Sequence, residues 1–200
     1  MDMLVADLEG VFLPEIWINV ALKTGVEELK LTTRDISDYN VLMTRRLSLL
    51  KEHNLRIQDI QAVIATLEPL PEAKETLDWI RSRSQIIILS DTFEEFARPL
   101  MAKLGFPTLL CHSLTIDNQG NITNYNLRIE NQKQRAVEAF RDLQYRVTAF
   151  GDSYNDIDMI QAAHQGFFFK PPASVVTDFP DIPVTRNYDE LKTMIGSLLH

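Results

Sequence analysis

Two acids, Asp7 and Glu9, stand one residue apart at the end of an apolar run, M-L-V-A-D-L-E-G. In extended backbone, residues i and i+2 point the same way, so the pair shares one side and Leu8 takes the other. Carboxylates are costly to remove from water unless something positive meets them. Two on one side can divide labour, one as nucleophile and one as proton carrier. A D-x-E-G at a strand end also reads as an ordinary polar turn, with Gly10 allowing the bend. Ser90 and Asp91 follow a second apolar run, I-I-I-L. Thr92 and Glu95 have capping-box spacing, which predicts a helix N-terminus at Ser90 and Asp91. Free N–H groups there would suit an anion, although a plain helix start explains the pattern too. G-D-S-Y-N-D, residues 151–156, follows a third run, V-T-A-F. Asp152 and Asp156 suit a hard cation, while acids around Asn155 also read as helix caps. Lys133 opens an amphipathic helix in N-Q-K-Q-R, where solvated surface is the usual fate of a lysine.

The elements that must position these residues follow from the apolar pattern. Leu4–Ala6, Ile86–Leu89 and Val147–Phe150 are apolar throughout or nearly so. Phe167–Phe169 and Pro183–Thr185 extend the series. Such strands alternating with helical segments predict an α/β chain: a Rossmann-like parallel sheet with helices on both faces. Chemistry in such sheets gathers at the carboxyl ends of the strands, where all three polar clusters stand. Between the first two strands lie far more residues than a crossover needs. Residues 14–70 read as a small helical cap inserted after the first strand, with 1–13 and 71–200 forming the core. The first cap helix is expected to begin at Pro14, carrying Glu15 in its first turn and Ile16, Trp17, Val20 and Ala21 on one face. The second runs from about Asn40 to His53, and the third carries Ile57, Ile60, Ile64 and Leu67. Arg46 falls within the apolar stripe of the second helix, among Leu42, Met43, Leu49 and Leu50. An inward arginine needs an anion such as a substrate carboxylate; a salt bridge or a snorkelling side chain are the other readings. S-L-T-I-D-N-Q-G-N-I-T-N-Y-N-L predicts a β-hairpin.

Composition narrows the function classes. The chain has 200 residues, 45% hydrophobic, and a net charge of −8. That disfavours nucleic acid and anionic membrane as partners. No run is long enough to cross a bilayer, and no secretory signal is evident, so a cytoplasmic protein is expected. The single cysteine, Cys111, excludes an internal disulfide and is expected to be a small core residue. A cysteine phosphatase would need an arginine six residues later, where Asp117 stands. Neither G-x-x-x-x-G-K-[ST] nor G-x-G-x-x-G occurs. His53, His112, His164 and His200 form no spaced ligand set.

Taken in order, the acid pair, the hydroxyl residue, the lysine and the second acid pair resemble the four motifs of the haloacid dehalogenase superfamily. The cap position and length resemble its phosphoserine phosphatase branch. D-L-E-G, P-E-I-W, T-T-R-D-I, I-L-S-D-T-F and G-D-S-Y-N-D are similar to the bacterial bifunctional phosphoserine phosphatase/homoserine phosphotransferases within it. The resemblance implies Asp7 as nucleophile and Glu9 as general acid and base. It implies Mg2+ held by Asp7, the Glu9 main-chain carbonyl and Asp152. Ser90, the Asp91 main chain, Lys133 and Asn155 would hold phosphoryl oxygens, with Asp156 as outer partner of Lys133 or of a metal-bound water. Glu15 and Arg46 would grip the ammonium and carboxylate of an amino-acid substrate. L-phosphoserine is the implied donor, homoserine the implied alternative acceptor, and a homodimer the implied assembly. Glu9 and Val11 depart from the superfamily's usual Asp and Thr, and Asp91 stands where many phosphatases have glycine. The rival readings are an aspartate-phosphorylated signalling module without turnover, or a phosphatase for another small metabolite.

Overall fold

A seven-stranded sheet in the order β4-β3-β2-β1-β5-β6-β7 forms the centre of the computed structural model. Residues 1–32, 35, 36 and 38–199 are described; Thr33 and Arg34 of T-T-R-D-I, and His200, lie outside them. β1 (Asp2–Ala6) pairs in parallel with β2 (Gln85–Phe93) on one side and β5 (Arg146–Gly151) on the other. β6 (Gln165–Phe169) and the short β7 (Val184–Thr185) continue the parallel order. β3 (Thr108–Ile116) serves twice. Its first half pairs in parallel with β2, and its second half pairs antiparallel with β4 (Ile122–Asn126). The expected hairpin is therefore the outward extension of a sheet strand. Asp117 shapes its turn by accepting hydrogen bonds from the N–H groups of Gln119 and Asn121.

β1 explains its own apolar run. Leu4 and Ala6 pack into one hydrophobic cluster and Met3 and Val5 into a second, so alternate side chains enter opposite layers. The first layer contains α4 (Ala73–Arg81), α5 (Glu94–Met101) and α9 (Tyr188–Leu198). The second contains α6 (Gln132–Asp142) and α7 (Ile157–Ala162). α8 (Ala173–Asp178) packs Val175 against Phe168 in a third, smaller cluster.

Between β1 and α4 lie α1 (Ile16–Thr24), α2 (Tyr39–Glu52) and α3 (Ile57–Ala65). Their apolar faces join the larger cluster: Trp17 meets Phe96 of α5 edge-on at 5.3 Å, and Phe96 meets Phe93 at 5.5 Å. Several boundaries differ from expectation. α1 starts at Ile16, not Pro14, which leaves Glu15 at the N-cap position rather than in the first turn. Leu67 lies beyond the end of α3, although it is buried in the same cluster. α5 starts at Glu94, so Thr92 and Glu95 form no capping box. The Glu95 carboxylate instead accepts from the Leu114 N–H of β3 at 3.0 Å, a tertiary partner that spacing cannot reveal. Ser90 and Asp91 consequently lie in an irregular stretch of β2 rather than at a helix start. Cys111 is half-buried, not a core residue, because its part of β3 lies beside an open groove; burial still pushes its thiol up to about 11.

Candidate active site

The sheet's order reverses at β1, where chain direction places a crevice beyond the carboxyl ends of β1, β2 and β5. Asp7 follows β1 directly, its N–H donating to the Phe150 carbonyl of β5 at 3.1 Å. The next residues fold into a tight turn, with Gly10 at φ 78° donating to the Leu13 carbonyl. Leu8 is fully buried, whereas Asp7 and Glu9 line the crevice, as the i, i+2 spacing requires. Glycine at position 10 is demanded twice. Its φ is left-handed, and a Cβ there would stand 2.3 Å from Asp152 Oδ2. Gly151 is similarly compelled: a Cβ would meet the Asp156 Cγ at 2.2 Å.

Lys133, in the first turn of α6, reaches across to the strand ends. Its Nζ donates to Asp7 Oδ1 at 2.8 Å and to Asp156 Oδ1 at 2.7 Å, and stands 3.7 Å from Asp91 Oδ2. It is only 4% exposed, which rules out the solvated-surface reading. Burial alone would lower the Lys133 ammonium, but Asp156, Asp7 and Asp91 hold it well above its usual range. Asp7 is shifted upward too, but for a carboxyl that disfavours the charged form. Burial and the charge of Asp156 raise its carboxyl well above the usual range, and Lys133 offsets only part of this.

One carboxylate oxygen from each of Asp7, Asp152 and Asp156 lies within 4.8 Å of the other two. Three buried acids around one ammonium leave an excess of negative charge, a donor set of hard oxygens that fits a cation such as Mg2+. Asp156 is fully buried, and its oxygens already accept from Lys133 and from the N–H groups of Asp152 and Ser153. It orients its neighbours from below, while Asp7 and Asp152 line the cleft. The capping reading of G-D-S-Y-N-D is met, since Asp156 caps the turn, and the same side chain also anchors Lys133.

The helices before α4 close the crevice. Glu9 Oε2 accepts from the Ile16 N–H, the first of α1, at 2.7 Å. Burial pushes the Glu9 carboxyl up to about 7; Glu15 adds to the shift, while the Ile16 N–H and Arg46 oppose it. Arg46 is 6% exposed and does not snorkel. Its guanidinium lies 4.5 Å from the Trp17 ring centroid, and Nη2 donates to the Leu31 carbonyl at 2.9 Å. No carboxylate forms an ion pair with it among the described residues, and its buried Nε has no hydrogen-bond partner there. Burial pulls the guanidinium down to about 10, against the favourable charges of Glu9 and Glu15. Glu15, half-buried, lines the same cleft.

The far wall comes from β2 and the loop after β5. Ser90 is 2% exposed and its Oγ accepts from the Thr92 N–H at 3.2 Å. Asn155 donates to Asp91 Oδ2 at 2.9 Å. All ten of the singled-out positions are brought together: Asp7, Glu9, Glu15, Arg46, Ser90, Asp91, Asp152 and Asn155 line one cleft, with Lys133 and Asp156 bonded behind Asp7. Sequence reasoning missed Gln132 and Tyr39. Gln132 donates to the Ser90 carbonyl at 2.5 Å, and the Tyr39 hydroxyl donates to the Asp91 carbonyl at 3.0 Å. No local signal marks either one, since each gains its partner only through tertiary contact.

Comparison with known proteins agrees with this geometry. Residues 6–164 match the haloacid dehalogenase-like hydrolase family. Over 192 residues the chain is 54% identical to the phosphoserine phosphatase ThrH of Pseudomonas aeruginosa, covering 96% of this chain and 94% of that protein. It is 53% identical to a phosphoserine phosphatase of Pseudomonas syringae pv. tomato, covering 96% of this chain and 81% of the relative. Its fold matches a crystal structure of phosphoserine phosphatase in apo form with a TM-score of 0.78, at 22% identity and 98% coverage of both chains. With the motif residues assembled at one crevice and a family match across most of its length, this chain belongs to the haloacid dehalogenase-like hydrolases.

Proposed function

We propose that this protein is a Mg2+-dependent phosphoserine phosphatase that also passes the phosphoryl group from phosphoserine to homoserine. The observation that carries the reading is the buried Asp7–Lys133–Asp156 cluster, whose Asp7 lines one cleft with Arg46, a buried guanidinium that meets no carboxylate among the described residues. Both Pseudomonas relatives carry the name phosphoserine phosphatase, which supports the phosphoserine assignment, and the notion of transfer rests on the sequence's likeness to the bifunctional group. In this reading residues 14–70 act as the substrate-recognition cap.

The Asp7 carboxylate attacks phosphorus, forming a P–O bond as the bond to the seryl oxygen breaks. Lys133 fixes that carboxylate and Asp156 fixes Lys133, so the nucleophile is held before substrate arrives. Bound Mg2+, held by Asp7, Asp152 and the Glu9 main-chain carbonyl, would neutralise phosphoryl charge. Ser90, Lys133, Asn155 and the Asp91 main chain would hold the equatorial oxygens. Glu9, raised to about 7, carries enough protonated form near neutrality to give its proton to the departing seryl oxygen. It then takes a proton from water or from the homoserine hydroxyl, whose oxygen attacks phosphorus and releases Asp7. Homoserine would use the same contacts as serine, Arg46 for carboxylate and Glu15 for ammonium, and its extra methylene would bring the hydroxyl to the aspartyl phosphate.

Phosphorus NMR of the protein with Mg2+ and L-phosphoserine tests both halves. Inorganic phosphate is expected alone, and O-phosphohomoserine in addition when L-homoserine is present. Phosphate release that homoserine never diverts would reject transfer and leave the phosphatase reading in place.

A further inference from the structure

The two oxygens of the Asp91 carboxylate meet different sets of partners. Oδ2 faces the reacting side, accepting from Asn155 at 2.9 Å and standing 3.7 Å from Lys133 Nζ. Oδ1 faces inward, with Gln132 Nε2 at 3.3 Å and His112 Nε2 at 3.7 Å. Gln132 and His112 are 2% and 5% exposed, and no part of the chemistry described above uses the imidazole.

The tautomer of His112 follows from its other nitrogen. The Arg128 N–H lies 3.2 Å from Nδ1. A backbone N–H only donates, so Nδ1 carries the lone pair and Nε2 carries the proton. That N–H faces Asp91 Oδ1 at 3.7 Å, an electrostatic contact longer than a hydrogen bond. The 3.3 Å approach of Gln132 Nε2 to His112 Nε2 is then two donors converging on one carboxylate oxygen, not a bond between them. The second Gln132 proton goes to the Ser90 carbonyl at 2.5 Å.

We infer that His112 and Gln132 are positioning residues: they clamp the Asp91 carboxylate from behind, so that its outer oxygen sets Asn155 and Lys133 against the transferring phosphoryl group. The inference rests on the proposed phosphoryl-transfer site, not on the identity of the substrate. Because the clamp acts at the phosphoryl end and Arg46 at the amino-acid end, its loss lowers kcat and spares KM.

The test uses four variants, His112→Asn, His112→Gln, Asp91→Asn and the His112→Asn/Asp91→Asn double, and two substrates, L-phosphoserine and p-nitrophenyl phosphate, with Mg2+. His112→Asn keeps an acceptor for the Arg128 N–H but removes the donor to Asp91; His112→Gln keeps a donor at the Nε2 position. His112→Asn is expected to lower kcat about tenfold on both esters with KM for phosphoserine within about twofold. His112→Gln is expected to recover to within about threefold of the parent, and adding His112→Asn to Asp91→Asn to cost nothing further. Equal losses in the Asn and Gln variants, or losses that multiply in the double variant, overturn the clamp. If phosphoserine is untouched but the aryl ester is cleaved, the substrate reading fails and the clamp is judged on the aryl ester. Nitrogen-15 NMR of the imidazole judges it without turnover. A protonated Nε2 whose signal moves in Asp91→Asn supports the clamp, and a protonated Nδ1 or an unmoved signal overturns it.

Discussion

At Asp7 function and stability pull in opposite directions. Burial and the neighbouring acids raise its carboxyl, so the folded protein bears a cost to keep it ionised. Asp7→Asn removes that repulsion together with the nucleophile. Turnover is expected to fall about 10³-fold or more while the melting temperature of the metal-free protein stays within ~2 °C or rises. A variant that melts far lower would show that the Asp7–Lys133 pair chiefly holds the fold. Arg46 poses a different balance, a buried cation over Trp17 whose Nε has no partner among the described residues. Arg46→Ala is expected to raise KM for phosphoserine about 10–100-fold, the worth of a charge-assisted contact, and to leave cleavage of p-nitrophenyl phosphate within about threefold. Equal losses on both esters would remove it from carboxylate recognition.

At the scale of elements, the turns after β1 and β5 interlock through glycines. Gly151 leaves room for Asp156, which cannot swing aside because Lys133 and two backbone N–H groups hold it. Gly151→Ala therefore forces the strand end and the loop apart. It is expected to destabilise by ~1–3 kcal/mol, lowering the melting temperature by roughly 2–4 °C per kcal/mol, and to cut turnover more than about 100-fold. A variant with normal kcat would show that the Asp156 side chain can move aside despite its three donors. Asp91 joins β2 to α6 electrostatically. Burial would raise its carboxyl, but Lys133, His112, Asn155 and Gln132 hold it below the usual carboxylate range. A depressed folded-state pKa contributes stability that is present above the unfolded value, about 4, and is lost as pH falls below it. The difference in melting temperature between the parent and Asp91→Asn should accordingly shrink as pH is lowered from 6 to 3. A gap independent of pH would contradict this linkage.

At the scale of the molecule, the helices between β1 and α4 share one hydrophobic cluster with the face of the sheet. Trp17, Phe96 and Phe93 carry that continuity from α1 to the end of β2, beside Ser90. Binding a cation to the native acid cluster alone should stabilise the whole chain by mass action. Magnesium at ~100 times its dissociation constant is expected to contribute about 2.7 kcal/mol, a rise of roughly 5–10 °C in calorimetry. Chelation should reverse the rise, and Asp152→Asn should weaken it. A melting temperature indifferent to Mg2+ would remove the ion from the acid cluster.

The sequence by itself determined the strand order of chemistry: acids after β1, a hydroxyl after the apolar start of β2, acids after β5. Fully apolar strands must be covered on both faces, and parallel strands put all their carboxyl ends on one edge, so residues far apart in the chain were bound to meet. Spacing also placed Arg46 inward, because one helical stripe cannot face two ways. Tertiary structure decided which partner each group found. Lys133 looked like any surface lysine until α6 packed beside β1, and the pairing of Thr92 with Glu95 dissolved once Glu95 had the Leu114 N–H. His112 and Gln132 carried no local mark at all. A side chain's hydrogen-bond partner is set by contacts across many residues, and sequence periodicity records only which face a residue occupies.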